Sequence, residues 1–301
     1  MKTEQATVNG ISITYEDKGA RDAPVILLVM GLGGQLTLWP DEFVDALNAR
    51  GFRTIRYDNR DVGLSTRFEA AGVPNVKWMI VKSVIGLPVR PAYTLADMAA
   101  DGIGLLDHLG IARAHVVGVS MGGMIAQHIA ARYPDRVLSL TSVMSTTGNR
   151  RLPRAQKEAM RVLANRPMSG DKEALIAYSV GAARVIGSPG YPSTEERLQR
   201  RVRADFERGW YPQGVARQMA AIVADGDRRA MLKEVKAPTL VIHGEDDPLV
   251  PLPGGRDTAE NIRGARLLTI PGMGHDLPLA LVETMADAIA AHIKETVAVA
   301  A

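Results

Sequence analysis

Short runs of β-branched and aliphatic residues alternate with segments of helical periodicity along most of this chain, and this alternation limits the fold more than any other feature. Residues 11–15, 25–29, 54–57, 115–119, 137–143, 239–243 and 266–270 read as strands. Segments 41–49, 95–109, 121–132 and 279–296 read as helices. The runs V-I-L-L-V and T-L-V-I-H have almost no polar interruption, as expected of parallel strands covered on both faces. The expected class is α/β, a mostly parallel doubly wound sheet.

Two regions break the pattern. Residues 149–233 contain no convincing strand, only helical segments punctuated by prolines and glycines. The expected organisation is therefore a core of residues 1–148 and 234–301, with a helical cap at 149–233 inserted between core strands. The other irregular stretch, 69–93, holds W-M-I-V and V-I-G-L separated by lysine. It is compatible with a segment resting on a membrane surface. The preferred reading is an additional insertion that packs beside the cap and roofs a pocket, with Trp78 and Met79 as candidate substrate-binding residues.

Composition narrows the chemistry. At 301 residues and 46% hydrophobic, the chain can bury a full core as one large domain. It has no cysteine, which excludes a disulfide framework, a thiol nucleophile and thiolate metal sites. The net charge is +3, and the arginine pairs are interleaved with acidic residues rather than gathered into a nucleic-acid footprint. The first residues are polar and lack the apolar core of a signal peptide, so a cytoplasmic location is expected. The apolar stretch 25–34 is too short for a span of ~20 residues, and stable membrane insertion is not expected.

Within this frame the stretch H-V-V-G-V-S-M-G-G-M-I-A places Ser120 between a strand and a helix, flanked by Gly118 and Gly122. That is the context of a nucleophile elbow, a turn so sharp that side chains two residues either side of the serine would collide. A serine hydroxyl is barely ionised at neutral pH and needs a base, which in turn needs an orienting carboxylate. His275 suits the role, because I-P-G-M-G-H-D-L-P presents it on a loop just past an apolar strand. The other five histidines lie in helices or strands; His243, at a strand end, is read as structural in preference to a group that supports the site. The loop after T-L-V-I-H offers Glu245, Asp246 and Asp247. Asp247 is preferred, since it lies furthest from the strand end and precedes a proline, and Asp246 is the alternative. Oxyanion donors are expected at the backbone N–H of Met121 and of Leu32, in the loop M-G-L-G-G. No H-E-x-x-H or clustered histidine and carboxylate spacing occurs, so no metal or other cofactor is implied.

The elements L-L-V-M-G-L-G-G, I-R-Y-D-N-R-D-V-G-L-S-T, A-H-V-V-G-V-S-M-G-G, P-T-L-V-I-H-G-E-D-D-P and I-P-G-M-G-H-D-L-P resemble the α/β-hydrolase superfamily. They are most similar to its aclacinomycin methylesterase branch. The resemblance implies Ser120, Asp247 and His275 as a triad, with Leu32 and Met121 at the oxyanion hole. The common histidine of the oxyanion loop is replaced by Met30, as in that branch, so a histidine cannot orient that loop. The cap and the 69–93 insertion show no close match, and a polyketide substrate is not inherited through them.

The expected function is cofactor-free hydrolysis of small to medium carboxylic esters through an acyl-enzyme. The same triad also serves lactonases, carbon–carbon bond hydrolases and perhydrolases of haloperoxidase type, because fold does not fix function. An aspartate at position 120 would have marked a dehalogenase or an epoxide hydrolase. A non-catalytic small-molecule receptor on the same fold is the alternative of another class.

Overall fold

The computed structural model describes residues 3–165 and 167–300, with side chains described to residue 296. Eight strands form one sheet: β1 (Glu4–Val8), β2 (Ile11–Lys18), β3 (Val25–Val29), β4 (Arg53–Tyr57), β5 (Ala114–Val119), β6 (Val137–Val143), β7 (Thr239–Gly244) and β8 (Arg266–Ile270). The helices are α1 (Asp41–Ala49), α2 (Val76–Val84), α3 (Leu95–His108), α4 (Met121–Arg132), α5 (Lys157–Ala164), α6 (Lys172–Ile186), α7 (Glu195–Gly209), α8 (Pro212–Asp225), α9 (Arg229–Leu232), α10 (Pro253–Asn261) and α11 (Val282–Ala300). Spatial order in the sheet is β1-β2-β4-β3-β5-β6-β7-β8; β2 runs antiparallel to both of its neighbours, β1 and β4, and the other pairs are parallel.

Strands β3, β4, β5 and β7 are buried along their whole length, because apolar layers cover both faces. On one face α3 and α4 bring Leu95, Met98, Ile125 and Ile129 onto Leu27 and Val116. On the other, α1 and α11 bring Phe43, Leu47, Met285 and Ile289 onto Leu28 and Val117. Chain order reverses between β3 and β5: from β3 the chain steps outward to β4, then returns to β5 on the other side. A crevice forms at the carboxyl ends of strands flanking such a switch point, which is where ligands bind open α/β sheets.

Three expectations needed adjustment. The strand expected at 11–15 runs on to Lys18, because β4 pairs with its second half. Strand β1 went unread, since only Ala6 and Val8 of E-Q-A-T-V face the core. Its signal was the Asn9-Gly10 pair, whose positive φ values of 51° and 78° suit a tight two-residue hairpin turn. The helix expected at 279–296 opens as a 3₁₀ turn at Leu279–Leu281 and continues as α11.

Between β6 and β7 the described residues hold helices α5 to α9 and no strand. Ile176, Val180 and Leu198 form a small apolar cluster of their own between α6 and α7. Helix α2, from the second irregular stretch, packs on α8, and Ser83 Oγ donates to the carbonyl of Val223.

Candidate active site

Ser120 occupies the single residue between β5 and α4, at φ 56° and ψ −119°. A positive φ at a residue with a Cβ costs about 1–3 kcal/mol and persists only where the surroundings over-determine it. Here the Ser120 N–H donates to the Val143 carbonyl at 2.9 Å, and Ser145 Oγ donates to the Ser120 carbonyl at 2.8 Å. Residues Met121 to Ala130 of α4 are all buried, which locks the helix behind the turn. The flanking glycines are there for close approach: a Cβ on Gly118 would overlap the Gly122 carbonyl, and one on Gly122 the Val29 carbonyl.

The loops after β7 and β8 bring the base and the acid to this turn. His275 Nε2 lies 3.0 Å from Ser120 Oγ, and His275 Nδ1 lies 2.7 Å from Asp247 Oδ2. The Asp247 side chain is fully buried, and its Oδ1 accepts from the N–H groups of Leu249 and Val250 at 2.9 and 2.8 Å. These two bonds turn the carboxylate back over the strand ends. The other two acids of this loop are engaged elsewhere: Asp246 accepts from the Gly272 N–H, and Glu245 from the Thr269 hydroxyl. His243 sits beneath, with Nε2 donating to the Val250 carbonyl and 3.8 Å from Asp247 Oδ2. Burial pushes its imidazole below the usual histidine range, so it stays neutral and leaves the Asp247 charge to His275.

The histidine loop is held from the end of α6 and the residues after it, which the sequence did not disclose. The His275 N–H donates to the Ile186 carbonyl at 2.7 Å, and the Gly274 N–H donates to Ser188 Oγ at 2.8 Å. Ser188 also donates through its N–H and its hydroxyl to Asp276 Oδ1. Residues just past α6 thus fix the backbone that aims the imidazole.

Across the crevice, the loop after β3 lies against the serine: a Cβ built on Gly31 would stand 3.1 Å from Ser120 Cβ. The Leu32 N–H has no hydrogen-bond partner among the described residues. The Met121 N–H opens α4 and so has no acceptor within the helix. Neither N–H thus has an acceptor among the described residues.

This loop has no histidine to orient it, and buried polar groups take that place. Asn59 Nδ2 donates to the Met30 carbonyl at 2.9 Å. Gln218, fully buried on α8, accepts from the Gly33 N–H through Oε1 and donates from Nε2 to the Arg60 carbonyl, each at 2.8 Å. Asp58 accepts from the N–H groups of Leu36 and Leu64 at 2.7 and 3.0 Å, and pairs with Arg208 at 2.8 Å. Asp61, at φ 67°, takes both oxygens to Arg217 at 2.8 Å, and Tyr93 donates to it as well. The run Y-D-N-R-D at the end of β4 was readable only as a likeness; its acids and amide are a buried brace between the loop after β3 and α8.

Trp78 and Met79 are not brought to this site. Trp78 is 51% exposed with the Lys82 ammonium over its ring, and Met79 is half-buried on α2. A cavity of about 450 Å³ lies between α6, α7 and the loops carrying Asp246 and Asp276, and neither residue lines it.

With the geometry in place, comparison with known proteins is informative. The profile of the family described as an alpha/beta hydrolase fold matches residues 24–279. The rhodomycin D methylesterase of Streptomyces sp. (strain C5) is 31% identical, over 98% of this chain and 99% of its own. A bifunctional esterase/perhydrolase of Acinetobacter calcoaceticus is 26% identical, over 96% of this chain and 98% of its own. The crystal structure of a hydrolase from Pseudomonas aeruginosa is 28% identical, superposes with a TM-score of 0.69 and covers 98% of both chains.

Proposed function

The chain belongs to the α/β-hydrolase family, and from that premise we propose that it hydrolyses carboxylic esters of small to medium size at Ser120 by way of an acyl-enzyme. The observation that carries this reading is the continuous chain Ser120 Oγ, His275, Asp247, with contacts of 3.0 and 2.7 Å, at a strained turn beside two uncommitted N–H groups. His275 Nε2 takes the hydroxyl proton as Ser120 Oγ attacks the ester carbonyl. Asp247 holds Nδ1–H and stabilises the imidazolium. The tetrahedral oxyanion accepts from the N–H groups of Leu32 and Met121, worth about 3 to 4 kcal/mol for one such donor. Collapse expels the alcohol, which leaves with the proton from His275. Water, deprotonated by the same imidazole, then attacks the acyl-enzyme and releases the acid and free Ser120.

In this reading residues 149–233 act as a cap that both shapes the substrate pocket and positions the machinery. Gln218 orients the oxyanion loop from α8, and the residues around Ile186 and Ser188 orient His275. The full-length similarity to methylesterases favours esters of a small alcohol, with the pocket under the cap setting the acid component.

A panel of p-nitrophenyl acetate, butyrate and longer esters, run beside methyl and ethyl esters of one acid, tests the proposal. Turnover that falls as the alcohol group grows supports it. Absence of turnover on every ester, from a folded protein, would overturn it.

A further inference from the structure

Helix α2 and the residues flanking it carry an apolar surface that the site above does not use. Among the described residues, seven of the twelve large hydrophobic side chains that stand exposed fall between Val73 and Leu87: Val73, Trp78, Ile80, Val81, Val84, Ile85 and Leu87. No residue of α2 is buried. Its half-buried positions are Val76, Met79, Lys82 and Ser83, the side on which α2 meets α8. The remaining apolar side chains face solvent, with Val84 66% and Ile85 61% exposed. A contiguous apolar patch on a folded protein marks an interaction surface.

The charges within the segment have one sign. Lys77, Lys82 and Arg90 lie within the segment, and Arg150 caps the end of α2 with bonds to the carbonyl and hydroxyl of Ser83. No Asp or Glu occurs between Ala70 and Ala96. Two copies meeting face to face through this patch would bring lysines and arginines together in an apolar contact, where like charges cost the most. An anionic bilayer meets both requirements: its acyl boundary takes the aliphatic side chains, and its headgroups take the ammonium and guanidinium groups. Trp78, beneath the Lys82 ammonium, is the side chain best suited to the headgroup level. No described helix is long and apolar enough to cross a membrane, so contact of this kind is peripheral.

We infer that residues 73–90 dock the protein on the surface of an anionic lipid bilayer, with α2 lying along the headgroup boundary. The docked face belongs to a segment packed on α8, the helix that braces the oxyanion loop, so the surface sits on the cap side of the molecule. Esters partitioned in the bilayer then reach the crevice from the surface they occupy. The docking itself does not depend on the esterase reading, because its readout is binding.

Sedimentation of the full chain with vesicles of phosphatidylcholine and phosphatidylglycerol in equal parts, against phosphatidylcholine alone, tests the inference. The expected result is partition onto the anionic vesicles, weakened by salt, with a blue shift of tryptophan emission that Trp78→Phe removes; Trp39 is buried against Phe43, and Trp210 is stacked on Phe206. Lys77→Gln with Lys82→Gln lowers the partition ~30-fold, at about 1 kcal/mol for each basic side chain. Val84→Asp with Ile85→Asp abolishes it while circular dichroism and turnover of a soluble ester stay at the wild-type level. Lack of binding to anionic vesicles overturns the inference, as does binding that survives the aspartates. A dimer in light scattering that the aspartates dissolve assigns the face to a second copy and overturns it equally.

Discussion

Ser120, His275 and Asp247 depend on one another, and single substitutions should show it. Ser120→Ala and His275→Ala are each expected to lower kcat by ~10⁴ or more, since members of a proton-transfer unit lose activity together. Steady-state kinetics on p-nitrophenyl acetate measures this. The acid loop supplies a sharper contrast. Asp247→Asn should approach the loss at His275, whereas Asp246→Asn, which only weakens a bond to the Gly272 N–H, should leave kcat within about threefold. Equal losses at 246 and 247 would contradict the assignment. Spacing from the strand end led to Asp247, but the bonds that steer it, from Leu249 and Val250, follow from how the chain turns after Pro248.

Among the elements, α8 carries the consequence least visible beforehand. Gln218→Leu leaves the Gly33 N–H and the Arg60 carbonyl without partners, each a buried polar group costing about 1–3 kcal/mol. If Gln218 positions the oxyanion loop, kcat should fall ~10-fold or more while KM changes by less than about twofold; Gln218→Glu, which keeps an acceptor for Gly33, should recover part of it. A purely structural role would lower melting temperature without that split. Arg217→Ala strands the Asp61 carboxylate in the interior and should cost about 3–5 kcal/mol, read from urea unfolding. Both residues lie in α8, where the sequence showed only helical periodicity. Parallel strands and the elbow were legible because apolar runs and glycine spacing are local signals. Gln218, Asn59 and Asp58 were not, because a buried polar side chain looks like a surface one until its partner, up to 185 positions away, is known.

For the whole molecule, pH reports on the sheet that holds these elements. His115 on β5 is buried with Nδ1 2.8 Å from Ser139 Oγ, and burial, aided by His292 and Arg113, pushes it down to about 4. The unfolded chain, with a histidine near 6.5, binds more protons than the folded one between those values, so this contribution is full above pH 6.5 and is lost as pH falls toward 4. His115→Gln should therefore flatten the acid limb by about 2 kcal/mol, seen as a difference between wild type and variant in urea midpoints at pH 7 and pH 4.5. A difference that does not change with pH would contradict a neutral, buried His115. The proposed chemistry requires an acyl-enzyme at one serine of the intact protein. Mass spectrometry after fluorophosphonate treatment, with peptide mapping of the adduct, tests it most directly. A single adduct on Ser120, absent from Ser120→Ala together with ester turnover, is the predicted result; an unlabelled Ser120, or turnover that survives Ser120→Ala, would contradict it.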